Sequence, residues 1–341
     1  MRPVRVAIVG AGWVTEHHLA AYRSLGDDVR VVAIADPDPA VLAERADRWG
    51  IPHRFASDAE MLASVEVDAV DVASPRQHHA ASVRLAAGRG LAIFCQKPLA
   101  PSWAEARALV DGLPPGARLM VHENWRHRPH YGVMRDWIAE GRLGAIRQGL
   151  LLVRTCGLLP DAGGVLPALE RQPMLARLDR MLLMEVMIHH VDTLRSLVGE
   201  MEILGAVSGS DTDALRGEDR FSLLFRAEGA AVSVVGDFRT HGAPPSLMDE
   251  LSLQGTDAAI ELSGPRLRLI AGSAVLDERQ IDLAADYAAS YRIAIARFLQ
   301  AVRTADPGVF RAQTEDNLKT LDLVEKAYRL AHSPAPPSRA G

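Results

Sequence analysis

Two cysteines in 341 residues are too few for a disulfide scaffold, and Cys95 and Cys156 lack metal-site spacing. Cys95 ends an apolar run, so a buried, inert thiol is expected there. No apolar run approaches the roughly 20 residues that cross a bilayer, so no membrane span is expected. Positive charge is not in excess: a net charge of −5 gives no electrostatic reason for a nucleic acid or an anionic membrane as partner. No internal repeat of solenoid period is present. The first strand is expected from about residue 4, which leaves no room for a secretory signal before it, and the cytoplasm is the expected location. What remains is an ordinary globular composition, 48% hydrophobic and 24% charged, at a length that suits about two domains.

The most informative stretch is 4–22, VRVAIVGAGWVTEHHLAAY. A β-branched apolar run ends in Gly10-Ala11-Gly12, a helix-forming segment follows, and a second apolar run, Val29–Ala35, ends in Asp36. This order of strand, glycine turn, helix, strand and acid binds a dinucleotide. Gly10 permits the tight turn and Gly12 lets the backbone approach a pyrophosphate, which the helix N-terminus attracts. Trp13 and Val14, which open that helix, are counted with the cofactor site. Thr15 stands where a third small residue is usual, and slightly looser helix–strand packing is expected. Asp36 can accept from the adenosine ribose hydroxyls, and no Lys or Arg follows it directly to meet a 2′-phosphate, so NAD is favoured over NADP. The alternative for Asp36 is a plain turn residue before Pro37.

Strands and helices alternate through the first third. Strands are expected at 67–73, 91–95 and 118–121, with helices near Pro39–Trp49, Asp58–Ser64 and 77–87. Ser102 and Glu105 form a capping box for a further helix. The pattern predicts an α/β, doubly wound parallel sheet. From His122 it changes: a helix near 130–140, a strand over 145–155, a long loop over 157–173 and a helix over 180–197. Strands follow at Glu202–Gly209, 220–226 and 231–239, with shorter candidates at 250–254, 258–262 and 267–270, giving an α+β half with a mostly antiparallel sheet. Tyr287, Tyr291, Ile295, Phe298 and Val302 form a helical apolar stripe, repeated by Leu318, Leu321, Val324 and Tyr328, and core packing is its favoured reading. The expected domains are 1–122 for the nucleotide and 123–331 for substrate binding and oligomerisation, with a disordered tail over 332–341.

Three further places can carry chemistry. Ser74-Pro75 follows the third long strand, with His79 beyond, where open α/β sheets place ligands; a proline turn before a helix is the alternative. Lys97, between Gln96 and Pro98 after the next strand, can donate to a substrate hydroxyl and stabilise alkoxide character as a hydride leaves. In 185–192, EVMIHHVD, helical spacing puts Glu185, His189 and Asp192 along one face amid apolar residues. A histidine there, oriented by a carboxylate, suits a general base; a metal site and a satisfied buried pair are the alternatives. Arg126, Arg154 and Arg171 can hold a polyol or carboxylate, or pair locally. The pairs His17/His18 and His78/His79 point apart on a helix, so no metal is assigned to them.

Together these residues resemble the glucose-fructose oxidoreductase / inositol dehydrogenase (Gfo/Idh/MocA) family over residues 4–331. VAIVGAGWV, VDAVDVASPRQHH, FCQKPLA, MEVMIHHVDTLRSLVGE and EDNLKTLDLVEKAYRLA carry the likeness. The resemblance implies a Rossmann domain joined to an α/β domain on a large open sheet, through which members oligomerise. It also implies oxidation of a sugar, cyclitol or polyol hydroxyl with NAD(P), and a homo-oligomer. It makes Lys97 the lysine of the E-K-P motif and His189 the catalytic histidine, with Glu185 at the family's Asp position. Gln96 replaces the usual Glu, Met187 the usual Gly, and Thr15 the third small residue. The expected activity is an NAD-dependent dehydrogenase in which His189, assisted by Glu185, removes the hydroxyl proton. A glycoside-cleaving enzyme with tightly held NAD, or a non-catalytic NAD- or sugar-binding regulator, are the alternatives.

Overall fold

A computed structural model describes residues 2–332; of the tail expected over 332–341, His332 is helical and 333–341 lies outside the described residues. The chain divides into two compact units. One is the chain through Pro129 together with Ala284–Leu321; the other is His130–Leu283 with the chain from Asp322 on.

In the first unit, β1 (Val4–Val9), β2 (Val29–Ala35), β3 (His53–Phe55), β4 (Ala69–Val72), β5 (Ala92–Gln96) and β6 (Arg118–His122) form a parallel sheet. Their order is β3-β2-β1-β4-β5-β6. The direction of winding reverses between β1 and β4, which places a crevice beyond their carboxyl ends. The crossovers carry α1 (Trp13–Ser24), α2 (Pro39–Trp49), α3 (Asp58–Ser64), α4 (His79–Gly88) and α5 (Trp103–Asp111). Local signals fix these helices. Asp38 caps α2 by accepting from Ala40 and Val41 N–H, Pro39 opens it, and Gly50 ends it at φ +67°. Ser102 accepts from Glu105 N–H to open α5, as the capping box predicts. The strand β3, three residues long and barely buried, left no periodic signal to find.

The second unit begins with α6 (Pro129–Ala139) and β7 (Ile146–Arg154). A short α7 (Pro167–Arg171) interrupts the expected loop, and α8 (Ile188–Val198) follows. Then come β8 (Glu202–Gly209), β9 (Arg220–Ala227), β10 (Ala230–Asp237), β11 (Met248–Gly255), β12 (Ala259–Ser263), β13 (Arg266–Ala271) and β14 (Ala274–Gln280). With β7 they make one sheet in the order β14-β13-β12-β11-β7-β10-β9-β8, in which only the β7–β10 pair is parallel. Alternation sets its two faces: Phe221, Leu223, Phe225 and Ala227 of β9 are buried while the residues between them are exposed. Glu228 and Gly229 both take positive φ, the conformation a tight hairpin between β9 and β10 requires. β14 escaped the sequence reading because it is an exposed edge strand carrying Asp277, Glu278 and Arg279, with no apolar alternation.

Two long helices close the chain, α9 (Leu283–Thr304) and α10 (Pro307–His332). Tyr291, Ile295, Phe298 and Phe310 join Val6, Ile8 and Phe94 in one buried cluster, with Tyr287 and Val302 packed against it. The stripe is therefore core, as its spacing predicts. It also makes the units discontinuous: 284–321 packs with the parallel sheet of the first unit rather than with the domain expected over 123–331, because its apolar face completes that sheet's core.

Candidate active site

The glycine turn is tightly built. Gly10 takes φ +99°, and a Cβ there would lie 2.8 Å from Ser74 N and 2.9 Å from the Ala73 carbonyl. Glycine is thus required both by conformation and by the close approach of the β4 loop. A Cβ on Gly12 would meet nothing, and α1 begins there without a side-chain cap, so its first N–H groups face open approach. Thr15 is a brace rather than a loosened contact: fully buried, it donates its hydroxyl to Gly10 O at 2.8 Å. Asp36 holds the turn from the other side, accepting from Ala11 N–H at 2.7 Å through Oδ2 and from Asp38 N–H at 2.9 Å through Oδ1. A carboxylate has about four acceptor positions, so two remain for a ribose diol. The nearby guanidinium of Arg45 is committed to the Ala11 carbonyl and to Glu16. Trp13 stands half exposed at the head of α1, edge-on to His17, whereas Val14 leans into the core.

At the end of β4, the Ser74 hydroxyl is buried with no hydrogen-bond partner among the described residues. His79 is buried with Nε2 2.7 Å from Ser74 O and Nδ1 3.0 Å from Pro98 O, so it ties the Ser74 loop to the loop after β5. Gln96 also turns inward: it is only 7% exposed, and its amide faces His18 and His122. Lys97 is half-buried at the carboxyl end of β5, its N–H donating to Gln96 Oε1 at 3.1 Å. Arg126 is paired with Asp316 at 2.9 Å, the local pairing weighed for it above. Burial, followed by the neighbouring Asp71, pushes the Cys95 thiol well up, so it is the inert group expected.

In the second unit the expected helix over 180–197 is not uniform. Leu182–Met187 forms a π-helical turn that leads into α8, so Glu185 lies in the widened turn and His189 in the regular helix. Such turns concentrate at functional sites. This one is propped from behind: Glu218 accepts from Leu183 N–H at 3.0 Å and from Tyr328 OH at 2.6 Å, and Met184 N–H donates to that hydroxyl at 3.2 Å. Arg180, paired with Glu325, covers the Tyr328 ring. Burial, then the Glu218 charge, pushes the Tyr328 phenol well above its ordinary value, so it stays protonated as a donor. Met187 is accommodated because the facing residue in β10 is Gly236, where a Cβ would strike the Met187 thioether. His189 and Asp192 are buried, Glu185 half-buried. The neighbouring His190 has a different task, with Nε2 2.9 Å from Asp249, whose other oxygen accepts from Tyr131 OH at 2.6 Å. Arg154 pairs with Glu250 at 2.9 Å, and Arg171 is exposed at the end of α7.

The sequence reading singled out the turn, Asp36, Lys97 and His189 as candidates but did not foresee the contacts of Thr15, Glu218, Tyr328 and Gln96 around them. One signal was available. Asp71 interrupts an otherwise apolar strand, and a buried acid requires partners. Among the described residues no three His, Cys, Asp or Glu side chains are grouped to hold a metal, and no helix is long and apolar enough to cross a membrane.

Residues 4–118 match the family described as "Oxidoreductase family, NAD-binding Rossmann fold". The chain is 28% identical to D-apiose dehydrogenase of Rhizobium rhizogenes over 344 residues, 97% of this chain and 96% of that enzyme. It is 33% identical to D-apiose dehydrogenase of Paraburkholderia graminis over 230 residues, 67% of this chain but 59% of that enzyme's length. An oxidoreductase from Agrobacterium radiobacter, solved with NAD+, L-tartaric acid and magnesium, superposes at a TM-score of 0.83 with 25% identity, covering 96% of each chain.

Proposed function

Because the chain belongs to the Gfo/Idh/MocA oxidoreductase family, we propose that it is an NAD-dependent dehydrogenase acting on a secondary hydroxyl of a sugar, cyclitol or related polyol. The observation that carries the reading is the braced glycine turn. Gly10 is pressed on Ser74, the α1 N-terminus is open, and Asp36 is fixed with acceptor positions to spare, a combination that suits a diphosphate and an adenosine ribose. The commitment of Arg45 to Ala11 and Glu16 favours NAD over NADP. When bound, the nicotinamide supplies the hydride acceptor. Lys97 orients the hydroxyl and stabilises negative charge as it develops on that oxygen. His189 takes the hydroxyl proton, with Glu185 favouring the imidazolium that forms. His79 serves by clamping the Ser74 and Pro98 carbonyls. Asp192 and Arg171 remain substrate-binding candidates, while Arg126 and Arg154 are held by Asp316 and Glu250. The inward position of Gln96 removes the main ground for a non-catalytic regulator, since its exchange for Glu lies behind Lys97 rather than in the crevice.

The test is a panel of sugars and polyols assayed for NADH formation with NAD and NADP. Lys97→Ala and His189→Ala should each lower turnover by about 10²–10⁴-fold while NAD still binds. Near wild-type turnover in both variants would overturn the mechanism. We also assign the outward face of the eight-stranded sheet to a second copy of the chain. Leu152 and Val235 pair there across strands, beside Leu150, Leu224 and the exposed Val207, so the face offers an apolar strip. Light scattering reporting a monomer would refute this. Two free thiols fit the reducing cytoplasm.

A further inference from the structure

Behind Lys97 lies a fully buried polar chain that runs through four elements of the first unit. Gln96 Nε2 is 2.8 Å from His18 Nε2 and 2.8 Å from His122 Nδ1, and His18 Nδ1 is 2.7 Å from Asp71 Oδ2. Tyr22 OH donates to the same Asp71 oxygen at 2.9 Å. The donor roles are fixed from one end. Lys97 N–H can only donate, so the Gln96 oxygen must face it, at 3.1 Å. The two amide hydrogens of Gln96 then point at His18 Nε2 and His122 Nδ1, which must both be lone pairs. His18 therefore carries its proton on Nδ1 and gives it to Asp71, and His122 carries its proton on Nε2. The flipped amide would set two donors against each other at Lys97 and two acceptors against each other at Asp71.

We propose that Gln96 is a positioning residue for Lys97, and that the Asp71–His18–Gln96–His122 chain holds both histidines in neutral tautomers so as to fix the point where β5 releases that lysine. The proposal rests on the reading of Lys97 given above. It accounts for glutamine at this position: a carboxylate has no hydrogen for either lone pair, and although His122 can turn its own proton to Nδ1, His18, whose Nδ1–H is held by Asp71, can meet a carboxylate only by gaining a second proton. The other titratable groups facing the two rings are Tyr22 and His17 on α1, Tyr291 on α9 and, beside Gln96, Cys95. Burial raises the two phenols and the thiol well above their ordinary values and lowers His17, so all four stay neutral between about pH 7 and 9. Gln96→Glu thus inserts a proton-demanding pair into a core that otherwise stays neutral at these rings.

Two measurements on the full-length protein test this. Long-range proton–nitrogen spectra of ¹⁵N-histidine protein should show His18 protonated on Nδ1 and His122 on Nε2. In Gln96→Glu the ring that gains the proton has a folded pKa above its unfolded one. Its contribution to stability is then complete below about pH 6.5 and lost as pH rises through the folded value. Urea unfolding should therefore show stability falling from about pH 7 to 9 in Gln96→Glu and level in the wild type. Turnover should drop on the order of 10–100-fold with KM little changed, the signature of a displaced catalytic group. His18 protonated on Nε2, or a Gln96→Glu variant with the wild-type pH profile and turnover, would overturn the proposal. A fully active Lys97→Ala would sink the catalytic reading instead, leaving the tautomers and the pH profile as they are.

Discussion

Met187 and Gly236 should behave as one unit. An alanine methyl at 236 would lie 2.9 Å from Met187 Cε and closer still to the sulfur. In open space a methionine would swing aside through its three torsions, but Met187 is fully buried and has no room to do so. Overpacking of this kind costs about 1 kcal/mol at the lower end of its range. In Met187→Gly the thioether is gone, and Gly236→Ala should instead stabilise β10 by roughly 0.5–1 kcal/mol, the ordinary advantage of alanine over glycine in a strand. The coupling is then about 1.5–2 kcal/mol, well above the 0.3–0.5 kcal/mol scatter of independent sites, both figures order-of-magnitude. Met187→Gly alone should cost at least about 2 kcal/mol from the lost buried side chain. The two units need not unfold together, so the readout is hydrogen exchange of the β10 amides, which reports the second unit alone. An equal effect of Gly236→Ala in both backgrounds would refute the account of why methionine is tolerated before His189.

Three further outcomes follow from the same geometry. Gly10→Ala combines positive φ with a methyl driven into the Ser74 backbone, which cannot swing aside, so urea unfolding of the first unit should show a loss of about 2–4 kcal/mol, with NAD binding weakened in calorimetry. Tyr328→Phe removes a buried donor from Glu218 and Met184 N–H loses its acceptor; a cost of about 1–3 kcal/mol is expected, with exchange rising at Leu183 and Met184, and no change there would exclude the brace. His17, stacked on Tyr291, has its pKa lowered by burial, so the fold binds it neutral. Stability is therefore complete above its unfolded value of 6.5 and declines as pH falls below it, and His17→Gln should flatten that decline in a pH series of thermal melts.

The parallel sheet was legible because each of its long strands ends in a punctuating motif, and the antiparallel sheet because one wet face imposes alternation. Helix caps at Asp38 and Ser102 were equally plain. What stayed hidden depends on partners distant in sequence. Gln96 reads as a lost acid until His18, 78 residues away, and His122 are seen to need its hydrogens. Thr15 reads as an imperfect glycine motif until its hydroxyl is placed on Gly10 O. The π-helical turn was invisible because its residues keep an apolar helical pattern, and the widening is imposed by Glu218 and Tyr328 from elsewhere in the chain.

The return of α9 and the first half of α10 to the nucleotide half has a consequence for how the chain is made. Translation delivers all six parallel strands by His122, yet Tyr291, Ile295, Phe298 and Phe310, which finish their core, emerge only well over a hundred residues later. Until then one side of a nearly complete sheet stands uncovered, a species open to chaperones and to aggregation. These contacts also close loops of well over a hundred residues, so the last folding step of the first unit should be slow. A chain cut short before α9 would be a sheet without its cover, and a nascent-chain arrest series should show protease resistance of the nucleotide half arriving only once α9 has left the ribosome.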